Sequence, residues 1–203
     1  IMAVKFKTEF INGNVPKNPR MEELKYWCNK FQDLNLTPLY KGRSLGNLSF
    51  RLKDNENSFI ITASALALKG DLSDDSFVIV HSYDLKEGTI YASGTREPSS
   101  ESVLHAGVYG KRKDINAVFH GHSGKILSRA ADLNILTTKR TESYGSIALA
   151  ESVLEILDNE LFMVMKNHGF LALGKNMEEA GQLSLKIYEQ VQSLKKSKNN
   201  SSL

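Results

Sequence analysis

Residues 116–124 read Asn-Ala-Val-Phe-His-Gly-His-Ser-Gly. An apolar run rich in β-formers, closed by glycines, predicts a strand over Asn116–His120, with Asp114 ahead and a loop from Gly121 to Gly124 behind. Residues two apart on a strand share a face. His120 and His122 therefore present two imidazoles to one side at the strand's end. They either converge on one ion, at about 2.0–2.1 Å each, or pack as ordinary histidines. His-x-His alone does not separate the two readings.

Towards the C-terminus, Leu161–Lys166 and Phe170–Leu173 predict two apolar strands joined by the turn tripeptide Asn167-His168-Gly169. His168 then sits at a sheet end, where sites are commonly built. Three neutral imidazoles would leave a zinc position open, the catalytic pattern; a turn histidine capping nearby carbonyls fits the same residues. Ser146–Leu157 predicts a helix. Another starts near Asn176, with Met177, Ala180, Leu183, Ile187 and Val191 at helical spacing.

Towards the N-terminus, Pro98-Ser99-Ser100-Glu101 predicts the opening of a helix that runs to about Lys111. An acid in a first turn favours the helix dipole and capping. Held near a metal, the same Glu101 carboxylate serves as general acid and base. His105, one turn on, and His81, on its strand, read as structural. Strands are expected at Asn47–Leu52, Phe59–Ala65, Phe77–Tyr83 and Thr89–Ala92, and a first helix from Met21 buries Leu24, Trp27, Cys28, Phe31 and Leu34. Residues 1–20 read as an irregular lead-in, 21–196 as one domain and 197–203 as a polar tail.

Composition narrows the function classes. At 203 residues the chain buries a sizeable core without staples. Its apolar runs are too short to cross a bilayer, so no membrane role is expected, and no basic start with an apolar core predicts a secretory leader. Cys28 is the only cysteine; an intrachain disulfide and a thiolate cluster are excluded, which suits a cytoplasmic location. The net charge of +3 resides in Lys195, Lys196 and Lys198, without which 23 basic residues face 23 acidic ones. No electrostatic footprint for nucleic acid remains.

Taken in order, Gly46-Asn47-Leu48-Ser49-x-Arg51, Ile61-Thr62-Ala63-Ser64, Pro98-Ser99-Ser100-Glu101, His105, Val108-Tyr109, His120-x-His122 and Asn167-His168-Gly169 resemble the class II aldolase/adducin family across most of residues 21–190. The resemblance implies an α/β protein, a three-layer α/β/α sandwich around a central mixed, largely antiparallel sheet. It implies Zn2+ on His120, His122 and His168, although imidazoles also suit copper, iron and nickel. It makes Glu101 the catalytic carboxylate and assigns Gly46, Asn47, Ser64, Ser99 and Ser100 to a substrate phosphate. It further implies a homo-oligomer, a tetramer by analogy, acting on a small sugar or sugar phosphate. Zinc as a Lewis acid would stabilise the enediolate left by C–C cleavage, and Glu101 would move the proton that interconverts enediolate and ketone.

The residues also carry plainer readings, since Gly46-Asn47 is an ordinary turn and Ser99 an ordinary N-cap. Ala65 stands where aldolases of the family carry glycine, and its methyl opposes the backbone angles glycine allows. The segment 123–167 is shorter than in the sugar-phosphate aldolases, and Tyr144 is its only tyrosine. A zinc-dependent aldehyde-lyase is the leading expectation. A decarboxylase, dehydratase or epimerase using the same metal is the alternative, and a non-catalytic adducin-like interaction module is an alternative of another class.

Overall fold

The computed structural model describes residues 6–70, 72–84 and 87–200, with 195–200 described by backbone alone. Its strands are β1 (Lys7–Asn12), β2 (Leu39–Tyr40), β3 (Arg43–Ser44), β4 (Asn47–Arg51), β5 (Phe59–Thr62), β6 (Phe77–Asp84), β7 (Thr89–Ser93), β8 (Ala117–Gly121), β9 (Leu136–Thr137), β10 (Phe162–Met165) and β11 (Gly169–Gly174). Its α-helices are α1 (Met21–Asp33), α2 (Ser102–Lys111), α3 (Gly124–Arg129), α4 (Ile147–Ile156) and α5 (Met177–Asn200).

Nine strands form one sheet in the order β1-β7-β6-β5-β4-β8-β11-β10-β9, and β2 and β3 make a small separate hairpin. Only the two edge pairs, β1 with β7 and β9 with β10, run parallel. The inner pairings, from β7–β6 across to β11–β10, are antiparallel. The sheet is therefore mixed and largely antiparallel, as the resemblance implied.

Strand alternation divides the core in two. Phe59, Ile61, Val118, Leu171 and Leu173 face the side covered by α2 and α4, where Val103, Leu104, Leu149 and Val153 meet them. Ile60, Ala117, Phe119, Phe170 and Ala172 face the other side, under Leu24, Trp27 and Phe31 of α1, Ile126 of α3 and Met177 and Ala180 of α5. Helices cover both faces, which gives three layers. The inner strands are apolar on both sides because both sides are buried.

Several expectations need correction. Residues 1–20 are not wholly irregular, since Lys7–Asn12 forms the edge strand β1. Its Phe10 and Ile11 are exposed, so no buried face marked it. The expected tail at 197–203 is helical as far as Asn200, because α5 continues through the lysine-rich segment; residues 201–203, like 1–5, lie outside the described residues. The helix expected from Pro98 begins at Ser102, with Glu101 as its N-cap residue. No helix of the described residues is long and apolar enough to cross a membrane.

Candidate active site

The register of the central strands assembles the site. Across β4 and β8, Asn47 pairs with His120; across β8 and β11, Gly121 pairs with Phe170. β10 and β11 are tied from Met165 to Gly169, so the turn between them sets His168 beside the end of β8. His122 lies just past that strand, its backbone N–H donating to Leu36 O at 2.7 Å. The rings of His120, His122 and His168 stand 4.7–5.1 Å apart, centre to centre, and each offers one nitrogen within 4.8 Å of the others.

Two glycines make this convergence sterically feasible. A Cβ on Gly169 would lie 2.5 Å from Gly121 O and 2.6 Å from Cε1 of His120. Gly46, at φ +73°, would place one 2.6 Å from His120 O. Any side chain at either position would press on the histidine strand.

His120 is wholly buried and donates Nδ1–H to Phe170 O at 2.9 Å. That fixes the ring's orientation and turns Nε2 towards the site, a buried atom with no hydrogen-bond partner. Glu101 Oε2 lies 3.0 Å from this nitrogen without hydrogen-bond alignment. Burial lowers the pKa of His122 to about 2, keeping it neutral, the form that ligates. A buried ring nitrogen without a partner and a neutral imidazole at one focus fit a metal ion, which His120, His122 and His168 would hold.

Glu101 does not use its carboxylate to cap α2. Oε1 accepts from Nε2 of His168 at 2.6 Å and Oε2 from Nδ2 of Asn47 at 2.8 Å. Burial pushes this carboxyl up, but the imidazoles of His120 and His168 outweigh it and hold Glu101 well below the usual carboxylate range. His168 likewise caps no carbonyl through Nε2, which is engaged by Glu101. The first-turn and turn-capping readings of these two residues are thus not what their side chains do.

Behind Glu101 runs a buried relay that the sequence did not disclose. Asn47 Oδ1 can only accept, so Nε2 of His105 donates to it, at 2.6 Å. Burial lowers the His105 pKa to about 3; its Nδ1 is then an acceptor for the Ser49 hydroxyl at 2.7 Å. Ser49 Oγ in turn accepts from the Tyr109 hydroxyl at 2.8 Å. His105 is structural, as its position suggested, but its structure is the alignment of Asn47 and hence of Glu101. His81, also expected to be structural, hydrogen-bonds Ser93 Oγ at 2.8 Å.

The residues assigned to a phosphate by resemblance, Gly46, Asn47, Ser64, Ser99 and Ser100, line one cavity of about 310 Å³ with Glu101, His122 and His168. Tyr144 reaches the same wall, as do Tyr40, Arg43 and Lys69, which nothing in their local sequence had singled out. Ala65 lies on that wall at φ +58°. The methyl does not prevent the left-handed backbone there, although it strains it. A second cavity of about 500 Å³ shares His122 and His168 and adds Leu34, Pro38, Lys125, Leu127 and Tyr188.

Comparison with known proteins places the family and the fold. The profile of the Class II Aldolase and Adducin N-terminal domain matches residues 22–192. A Methanococcus maripaludis protein named L-fuculose phosphate aldolase is 30% identical over 169 residues, covering 76% of this chain and 86% of its own. A Leptospira biflexa methylthioribulose-1-phosphate dehydratase is 38% identical over 113 residues, 55% of this chain and 49% of that one. The fold is shared with a sugar-phosphate aldolase from Thermotoga maritima at a TM-score of 0.73 and 16% identity, over 90% of this chain and 96% of that one. With a profile match over residues 22–192 and a relative 30% identical across three quarters of it, this chain belongs to the class II aldolase and adducin family.

Proposed function

We propose that this aldolase-family enzyme is a metal-dependent lyase that breaks or forms a C–C bond in a small phosphorylated hydroxy-ketone. One observation carries the reading: three imidazoles cluster beside an ionised Glu101, and Glu101, His122 and His168 line a cavity whose remaining wall includes Gly46, Asn47, Ser64, Ser99 and Ser100. A divalent ion such as zinc, held by His120, His122 and His168, supplies Lewis-acid stabilisation of the negative charge that develops beside the ketone carbonyl.

The chain's own residues supply the rest. Hydroxyls and backbone N–H groups at the cavity wall bind a phosphate closely. That hold orients the carbon next to the carbonyl towards Glu101. In condensation Glu101 takes a proton from that carbon, which its depressed pKa favours by keeping it ionised. In cleavage the hydroxyl beyond the breaking bond gives up its proton as its carbon becomes the aldehyde, and the C–C electron pair passes to the carbon beside the ketone. Glu101, protonated by the proton released, delivers it to that carbon. Asn47 holds one carboxylate oxygen through its Nδ2–H and fixes the direction of transfer.

The test is release of dihydroxyacetone phosphate from a panel of ketose 1-phosphates, with and without a chelator. Chelator-sensitive release is expected. His122→Ala should lose both bound metal and turnover, and retained activity would reject the ligand set. Dehydration is the second reading, favoured by the identity to the Leptospira dehydratase. Loss of water from the ketose phosphate, with no aldehyde formed, would establish it instead.

A further inference from the structure

Lys69 is 2% exposed, yet among the described residues it forms no ion pair. Its ammonium donates to Ser44 Oγ at 3.1 Å and Leu45 O at 3.3 Å, both neutral acceptors and both long bonds. An ammonium has three N–H donors; the described residues take two of them, and Lys69 lines the cavity wall. Desolvating a cation costs far more than two neutral hydrogen bonds return, unless an anion joins it. The pKa is lowered to about 8 by burial, so the group is still mostly charged at neutral pH.

Its backbone is held rigidly. The N–H groups of Lys69 and Gly70 both donate to Oε1 of Gln32 on α1, at 2.6 and 2.7 Å. A second cation shares the wall: Arg43 lines the same cavity, and its guanidinium forms no hydrogen bond or ion pair among the described residues. Among the described residues the only carboxylate on that wall, Glu101, is already engaged by Asn47 and His168. Two cations without an ion-pair partner among the described residues thus line a cavity together with Ser64, Ser99 and Ser100.

We propose that Lys69, assisted by Arg43, is the specificity-determining residue that makes the cavity select a doubly charged phosphate monoester over the uncharged hydroxy-ketone. The proposal rests on reading this cavity as the substrate site. Lys69 reaches the phosphate as a point charge pinned beside Ser44 and Leu45, directly ahead of the Gly46-Asn47 turn. Arg43, half-buried at the wall, adds a donor fork suited to phosphate oxygens.

Calorimetric titration of the full chain with dihydroxyacetone phosphate and with dihydroxyacetone tests it. The wild type should prefer the phosphate ester. Lys69→Met should weaken that ester roughly tenfold or more, as expected for a lost charge-assisted hydrogen bond, and leave dihydroxyacetone binding unchanged. Lys69→Arg should recover part of the loss. Equal weakening of both ligands by Lys69→Met would mean that the residue only props the Ser44–Leu45 segment, and would overturn the proposal; so would a wild type that does not distinguish the ligands. Should Lys69→Met fail to fold, Arg43→Met carries the same comparison, with a several-fold selective loss expected and none overturning it. Selective loss in a protein that cleaves no ketose phosphate would sustain this proposal and reject the lyase reading; cleavage with undiminished phosphate preference in the variants would do the reverse.

Discussion

His105 touches neither the cavity nor a histidine ligand through a hydrogen bond, yet it sets the Asn47 amide that grips Glu101. Replacing it with leucine would leave Asn47 Oδ1 without its buried donor and deprive the Ser49 hydroxyl of its 2.7 Å acceptor, while Tyr109 stays on Ser49 Oγ. Groups one step behind a metal site typically cost 10–100-fold when removed. His105→Leu is therefore expected to lower kcat by about 10-fold or more with KM and metal content little changed, and His105→Gln, which restores a donor and an acceptor, to recover part of it. Steady-state kinetics with metal analysis checks both. At this scale the sequence disclosed residue types better than partners. His120 and His122 were legible because strand period places them on one face. The Asn47–Glu101 bond was not, because 54 residues separate the two and only the sheet register joins them. Lys69 was illegible for another reason: a lysine before Gly-Asp reads as a solvated turn residue, and nothing local reveals that α1 and the cavity wall enclose it.

The hairpin of β10 and β11 is the element on which the metal focus depends. It is held to β8 at Gly169, where a Cβ would strike Gly121 O and the His120 ring. Gly169→Ala should force the turn outwards, at a cost of about 1–3 kcal/mol for overpacking, and carry His168 with it. Weaker metal binding, by about tenfold, with a lowered Tm is the expected outcome of metal titration and thermal melts. This hairpin, the inner strands and α1, α2, α4 and α5 were legible, because each carries a continuous apolar run or a helical stripe. The elements that escaped are those whose burial is slight or whose length is small. β1 is an exposed edge, β2, β3 and β9 have two residues each, and α3 has six.

Across the whole molecule, the buried neutral histidines make stability sensitive to acid. Burial lowers His105 to about 3 and His122 to about 2, whereas a histidine in the unfolded chain protonates near pH 6.5. Between those values the unfolded state binds more protons, so stability rises with pH and is lost as pH falls below about 6.5. Each histidine contributes up to about 1.4 kcal/mol per pH unit. Metal-free protein melted between pH 7 and pH 4 should show Tm falling steadily below pH 6.5, less steeply in His105→Gln; a flat profile would contradict the neutral buried states. The sheet order has a further, kinetic consequence. β4 and β8 lie side by side, but β5, β6, β7 and α2 intervene in the chain, and Glu101 and His168 are 67 residues apart. Long chain loops must close before such partners meet, and that entropy is lost before the contacts offset it. Only the His120–His122 pair is local. An ion held by the three histidines would therefore arrive late in folding, locking a framework that hydrophobic pairing of distant strands has already raised.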